Sequence, residues 1–599
     1  MILYKLLFFQ LFLAWCNFKV LCNENKNIKY TVVLKTDIPN AVVGVAIGKD
    51  VYPLQADSKI PLMYSGQGPS EIPYRYVILD STKKMVDYEK FERPAILHSK
   101  GTFNEVYGRP WNKLMLPQLP SLNQDFTLGT KRKDPGENKL YEDGTIANLI
   151  FEADDQIVQS MHAEKKKKAK VTGRLTYISY NHVEQFDDVE LKIGGHSSRD
   201  YAKVPYKLKI SPEKSPKGLF NRWELKLRPE ATDPTLLREK LYTDILQSVG
   251  VLGPRGGYVR FYLNSHTAGL FLLTDDIANK EYVRETIHDG NQKAQIGGLI
   301  KGDAGKGDYA ADLGYRGDEP ENYDEKTYEV EAEAGEDADP MEDLIAFMKF
   351  IKDYPVDNNA DEQTVFDEWN QKINIKHFIR QIAVEWLTGN WDAHQYSGNN
   401  YVIYQHPTTK QFITLPMDFD YTFGNGLEQD QGNLLVGKWT DFTSKRKTHS
   451  YLWEKLADIN SMQRLYLDTV SEINEKVTKP EVILPRLESL AYLIQHDAQW
   501  DKNLDRLSDG KFRQWPEDDY LQSLEQGSGA PDENIGLKEW IRAKYDAVSE
   551  YSSSLDNLPV EEKKQLYSQN AKMMKGIPPQ EFEKMQEAEA MQEEQQSEA

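Results

Sequence analysis

Residues 390–426 read NWDAHQYSGNNYVIYQHPTTKQFITLPMDFDYTFGNG. A helix end at 385–388 gives way to Gly389, Asp392 opens a loop, and Asn399 and Asn400 precede the strand-like YVIYQ. The apolar FITLP then runs into Asp418 and Asp420 just before Gly424, which places carboxylates at the end of a buried strand, where a divalent ion is the obvious guest. Phosphoryl transfer needs an Asp near the acceptor hydroxyl, an Asn and an Asp to hold Mg²⁺, and a Lys to neutralise nucleotide phosphates, because its catalysis is mostly positioning and charge compensation. Asp392, Asn400 and Asp418 supply the first three. Taken singly, each has a plainer reading: the two Asp cap turns and the Asn bonds its own backbone. The combination favours chemistry.

Working outward, VTGRLTYISY, VELKIGG, YKLKI, RWELKL, YVRFYLN and GLFLLTDD between residues 171 and 276 read as strands. Between them, residues 234–250 place Leu236, Leu237, Leu241, Ile245 and Leu246 at helical spacing. Downstream, MEDLIAFMKFIKDY, KHFIRQIAVEWLTGNW, SYLWEKLADI, SMQRLYLDTVSEINEKV and LPRLESLAYLIQHDAQW read as amphipathic helices. The acidic, Gly-rich residues 302–340 between the two regions read as a long surface insertion or lid. A β-rich lobe carrying one helix, followed by an α-rich lobe, is the order in which protein-kinase-like folds are built.

Toward the N-terminus, short β-branched runs broken by Asn, Gly, Pro and Asp predict a small all-β, sandwich-like domain over residues 23–110, with an irregular connector over 111–155. The expected class is therefore α+β, a two-lobed kinase-like domain over 156–555 preceded by that β domain, with a polar tail over 556–599. Residues 1–22 place Lys5 before an apolar run ending at Trp15 and read as a cleaved signal peptide, since that run falls short of the roughly twenty residues needed to span a bilayer. Both cysteines, Cys16 and Cys22, lie in this leader, so the mature chain is expected to hold neither thiol nor disulfide, and no transmembrane anchor. The expected destination is the secretory pathway and the exterior.

The 599 residues carry a formal charge of −21, which repels phosphate backbones, so no nucleic-acid partner is expected; the Lys165 to Lys170 run reads as a solvated loop. With 11 scattered His and no mature Cys, zinc is not expected either. His394 near Asp392 could act as a base, but no Ser or Cys elbow accompanies it, so it reads as a polar loop histidine. GDAGKGD around Lys306 lacks the Walker spacing, and no GxGxxG loop precedes Lys203.

The texts IGGHSSRDYAKVPYKLKI, RWELKLRPEATDPTLLREKLYTDILQSVG, GLFLLTDDI, IKGDAGKGDYAADLGYRGDEPENY, NWDAHQYSGNNYVIY and MDFDYTFG together resemble the CotH kinase family, known from bacterial spore coats and from the surfaces of mucoralean fungi. The resemblance spans roughly residues 170–545. It implies Asp392 as the catalytic-loop acid, Asn400 and Asp418 as metal ligands with Asp420 as a further carboxylate, and Arg199 and Lys203 as nucleotide-phosphate ligands. Arg238 and Lys240 match the family's helix charges. The implied cofactors are ATP and Mg²⁺ or Mn²⁺, and the implied activity is phosphate transfer to Ser or Thr of secreted, coat or cell-surface proteins. A scaffold or adhesin that meets a host-cell receptor is the alternative the fungal members imply. Two departures separate the chain from ordinary protein kinases: the Asp392 to Asn400 spacing is longer, and Asp420 stands where DFG has Gly.

Overall fold

Short runs that alternate buried and exposed residues become strands at the N-terminus because only one face of each finds a core. A computed structural model of the chain describes residues 27–122, 139–167, 169–304, 310–333, 339–426, 434–435, 437–442, 448–511, 519–527, 535–556, 559 and 562. Residues 1–22, expected to be a leader, most of the expected tail 556–599 and Lys306 thus lie outside the described residues. The chain divides into two compact units: residues 1–114 with 145–150 and 175–185, and the remainder.

In the first unit, β1 (Asn27–Val33), β2 (Val42–Ile47), β3 (Asp50–Pro53), β4 (Gln55–Ala56), β5 (Met63–Pro69), β6 (Tyr74–Leu79), β7 (Met85–Tyr88) and β8 (Glu105–Val106) form two four-stranded sheets, ordered β4-β5-β1-β8 and β3-β2-β6-β7. Tyr30, Val32, Val43, Val45, Tyr74, Tyr76 and Ile78 from both sheets make one core. The buried Glu105 is satisfied by the hydroxyls of Tyr74 and Tyr76, at 3.0 and 2.7 Å, and by Arg93 at 3.3 Å. That is how this core tolerates a carboxylate.

Beyond those eight strands the elements are a mix of helices and strands, as the α+β class requires. β9 (Ala147–Glu152), β10 (Lys170–Ile178), β11 (Val183–Ile193), β12 (Tyr206–Lys209), β13 (Glu224–Arg228), β14 (Gly256–Leu263) and β15 (His266–Asp275) close into a barrel in the order β10-β11-β12-β13-β15-β14-β9. Helix α1 (Asp155–Ala163) follows β9, and α2 (Arg238–Val249) lies between β13 and β14. Three lysines of the run are paired locally: Lys166 with Asp200 at 3.1 Å, Lys167 with Glu164 at 2.5 Å and Lys170 with Glu190 at 2.7 Å.

After α3 (Lys280–Ile287), the strands β16 (Leu299–Gly302), β17 (Tyr328–Ala332), β18 (Tyr401–Gln405) and β19 (Phe412–Pro416) form a second sheet, ordered β17-β16-β18-β19. The α-rich part holds α4 (Pro340–Asp353), α5 (Glu362–Lys372), α6 (Ile375–Thr388), α7 (His394–Ser397), α8 (Tyr451–Ala457), α9 (Asn460–Ile473), α10 (Pro480–Lys502), α11 (Asp519–Glu525) and α12 (Leu537–Asp556). No helix among the described residues is long and apolar enough to cross a membrane.

The expected surface insertion is corrected in its described part. Residues 310–333 carry the edge strand β17, and Ala311, Leu313 and Tyr328 are buried. The Ala311 N–H donates to the Gly398 carbonyl at 2.8 Å and the Tyr401 hydroxyl donates to the Ala311 carbonyl at 2.8 Å, so this acidic text is stitched to the loop that holds Asp392.

Candidate functional site

The site is built at the end of α6. This helix buries Phe378, Ile379, Ile382, Val384, Trp386 and Leu387, and it stops at Gly389, which caps it in the left-handed conformation at φ 60°. A Cβ there would lie 2.4 Å from the Trp540 ring, so the residue needs both the conformation and the missing side chain. The buried Glu385 reaches forward to the next loop: its Oε2 accepts the Gln395 N–H at 2.8 Å, and its Oε1 accepts the Gln381 amide at 2.9 Å. Burial pushes the Glu385 carboxyl up to about 7, against the pull of those two donors.

Asp392 lies in the loop so anchored. The Asn399 amide donates to its Oδ1 at 3.0 Å, and the Asn400 amide donates to its Oδ2 at 3.0 Å and to its carbonyl at 2.9 Å. The β18–β19 hairpin then brings the second acidic text alongside. Tyr401 pairs with Pro416, and one step further the Met417 N–H donates to the Asn400 carbonyl at 3.0 Å. Asn400 and Asp418 thus flank the open end of one hairpin, both in the left-handed region at φ 56° and 65°. Asn and Asp are the non-glycine residues that tolerate that region best.

Four residues beyond the sequence assignment complete the cluster: Arg228, Thr232, Glu230 and Glu239. Arg228, the last residue of β13, donates from Nη2 to Asp418 Oδ1, lies 3.6 Å from Asp420 Oδ1, and donates from Nε to Glu239 Oε2 at 2.9 Å. Asp420 Oδ2 accepts the Thr232 hydroxyl at 2.5 Å. Burial and the neighbouring Asp418 charge raise the Asp420 carboxyl well above its ordinary range, while Arg228 outweighs burial at Asp418 and holds it below. Glu230 is buried with neither carboxylate oxygen hydrogen-bonded, and burial and Glu239 raise it strongly.

Helix α2 delivers Glu239, and one turn on it stacks Tyr242 on Phe419 with ring centroids 4.1 Å apart. The helix is started by the buried Asp233, which accepts the Thr235, Leu237 and Arg238 N–H groups at 2.9 Å each and the Arg238 guanidinium at 2.5 Å. Arg238 is therefore committed to the helix start, and Lys240 pairs with Asp244 at 2.5 Å. Glu239, between them, is the member of REKL that turns into the site.

Lys203 and Arg199 stand elsewhere. The Lys203 ammonium bonds the Leu270 carbonyl and Asp501 Oδ2, the latter at 3.1 Å, and lies 4.7 Å over the Phe271 ring. Burial lowers it to about 8, against the pull of Asp501. Arg199 donates to the carbonyls of Gly194, Ile193 and Lys166 at 2.9, 3.1 and 3.3 Å. Neither bonds Asp392, Asn400 or Asp418. His394, read from the sequence as a polar loop histidine, is instead buried at the start of α7: it packs edge-on between Phe378 and Tyr401, and burial lowers it to about 3, so it stays neutral.

Asn400, Asp418 and Asp420 offer only hard oxygen donors, which suit Mg²⁺ or Mn²⁺ rather than a thiophilic metal, and Asp418 is 39% exposed on its open side. Among the described residues no three His, Cys, Asp or Glu converge in ligating geometry, so the set that fits such an ion is mixed, an amide beside carboxylates.

The family described as CotH kinase protein matches residues 191–546, more than half of the chain, and the chain belongs to that family. Among its relatives, Invasin CotH3 of Rhizopus delemar is 28% identical over 91% of this chain and 88% of its own. Invasin CotH2 of the same fungus is 28% identical over 77% of this chain and 75% of its own. Inner spore coat protein H of Bacillus subtilis is 24% identical over 45% of this chain and 70% of its own.

Proposed function

We propose that the chain is an atypical protein kinase of the secretory pathway that transfers the γ-phosphate of ATP to Ser or Thr of coat or cell-surface proteins. The observation that carries this reading is the double link through Asn400. Its side chain holds the Asp392 carboxylate and its carbonyl holds the strand end that presents Asp418, so an acceptor-side acid and a metal-side acid are tied together at the open end of one hairpin. The two-lobed kinase-like reading draws on the same order of parts: a β-rich region, then α2, then the helical region. The description of the family and the coat and surface relatives agree with it.

In this reading Asp392 faces the acceptor and takes the proton from its hydroxyl as the oxygen bonds to phosphorus; the bond to the β–γ bridging oxygen breaks and ADP leaves with that electron pair. Mg²⁺ or Mn²⁺ held by Asn400 and Asp418, with Asp420 near, would offset the phosphate charge when bound. Phe419, stacked on Tyr242, fixes the direction of the flanking carboxylates. Phosphate incorporation into protein by the mature chain with ATP and Mg²⁺ tests it: Asp392→Ala and Asp418→Ala should each abolish transfer, a loss of at least about 10³-fold. Transfer that persists in both variants would refute it.

A second reading has the names of the relatives behind it. Those fungal proteins are called invasins, and a chain used as a surface scaffold or host-cell adhesin would keep its partner binding in the Asp418→Ala variant.

A further inference from the structure

Four carboxyl groups, Glu230, Glu239, Asp418 and Asp420, surround a single guanidinium, that of Arg228. Such a site repels a bare polyphosphate and attracts a divalent cation. The guanidinium is already shared: Nη2 serves Asp418 and approaches Asp420, Nε serves the 2% exposed Glu239, and Nη1 makes no hydrogen bond among the described residues. Asp418 is the more exposed of the carboxylates that Arg228 pairs with, and therefore the one a metal ion reaches most easily.

The side chain that the family resemblance put against the phosphates is held differently. Lys203 is sequestered by Asp501, a backbone carbonyl and the Phe271 ring. Freeing it would leave the buried Asp501 with a single cationic partner, Arg506 at 3.1 Å, beside the Leu270 N–H at 2.9 Å. Of the other cations on the site face of β13, Lys226 is paired with Asp276 at 3.3 Å.

We infer that Arg228, rather than Lys203, takes the charge of the nucleotide phosphates, and that it is released to do so when a divalent cation replaces it at Asp418. The inference rests on the nucleotide-binding reading of the site. Glu239 is the other half of the device: anchored on α2 and bonded to Nε, it keeps the guanidinium within reach while Nη1 and Nη2 turn to the phosphate. The fork geometry suits an Arg, which can hold a carboxylate through Nε and present its two terminal nitrogens to a second anion, as a lysine cannot. The order of binding follows: metal, alone or already on the nucleotide, must reach Asp418 before the phosphates find a free cation.

The test uses the mature chain and two titrations, Mn²⁺ alone and ADP at saturating Mn²⁺, on wild type and Arg228→Met. Removing the guanidinium removes a competitor for Asp418 and a ligand for phosphate, so the two affinities should move in opposite directions. Mn²⁺ alone should bind about 3- to 10-fold tighter, and ADP with Mn²⁺ at least about 10-fold weaker. A merely structural Arg228 would weaken both, and that result, or an unchanged ADP affinity, overturns the inference while leaving the nucleotide site standing. Wild type that binds no ADP with Mn²⁺ overturns both this inference and the reading beneath it. Should Arg228→Met fail to fold because Glu239 is left buried and unpaired, the double variant Arg228→Met/Glu239→Gln removes that charge and is read by the same two titrations.

Discussion

At the scale of single residues, the site depends on groups held where their ordinary chemistry would not put them. Glu385 is the most readable case. Its folded-state pKa is raised, from 4.5 to about 7, so the folded chain prefers the protonated acid. Its contribution to stability is fully present below about pH 4.5 and is lost as pH rises toward 7. Glu385→Gln keeps an oxygen for the Gln395 N–H but carries no charge. The melting temperature of the variant relative to wild type should therefore climb by a few degrees between pH 5 and 8, out of a limit of roughly 3 kcal/mol. A difference that is flat across that range would show that Glu385 does not titrate there. The sequence made Asp392, Asn400 and Asp418 legible because their neighbours are distinctive and local. Arg228 and Glu239 were not, since an Arg at a strand end and a Glu in a charged helix are each commonplace, and their partnership spans residues far apart in the chain.

The same limit recurs with whole elements. REKL announces a helix, but its three charges point about 100° apart, so only the phase imposed by the Asp233 start and the Tyr242–Phe419 stack tells which one enters the site. Arg238 and Lys240 were the charges the family pattern marked, and both turn to local partners. The end of α6 shows an element boundary that the sequence did announce, through Gly389. Replacing it should be costly for two separable reasons. Gly389→Ala would meet the left-handed backbone term of about 1 kcal/mol. It would also put a methyl group 2.4 Å from the buried Trp540 ring. Gly48 shares the backbone conformation, at φ 62°, but has nothing within 4 Å of its Cβ position. Denaturant unfolding should show a loss of about 2 kcal/mol or more for Gly389→Ala and about 1 kcal/mol for Gly48→Ala. Equal losses would mean that the packing against Trp540 is easily relaxed.

At the scale of the molecule, composition and order of elements sufficed for the α+β class and for the helical region, where amphipathic periods run long. They failed where polar composition hides a packed segment. The acidic text after Gly302 reads as a lid, yet Ala310, Ala311 and Leu313 are buried and Tyr328 sits in an edge strand, because a few apolar residues at the right register outweigh their acidic neighbours. Closure of a sheet into a barrel was likewise beyond reach, since strand order depends on pairings that local pattern does not record. Both cysteines lie in residues 1–22, so the expected removal of that segment has a simple test: the melting temperature of the chain expressed from its full sequence and recovered from the medium should be the same with and without reductant. A drop on reduction would mean that a disulfide in the leader is retained. The central claim is phosphoryl transfer from one hairpin, and the most direct measurement of it is phosphate incorporated into Ser or Thr from isotope-labelled ATP with Mg²⁺ or Mn²⁺. It is best read on the same preparations whose thermal stabilisation by metal and nucleotide is recorded. The account predicts incorporation and stabilisation in wild type, and loss of incorporation in Asp392→Ala and Asp418→Ala; a folded wild-type chain that is neither stabilised nor labelled would contradict it and leave the surface-scaffold reading in its place.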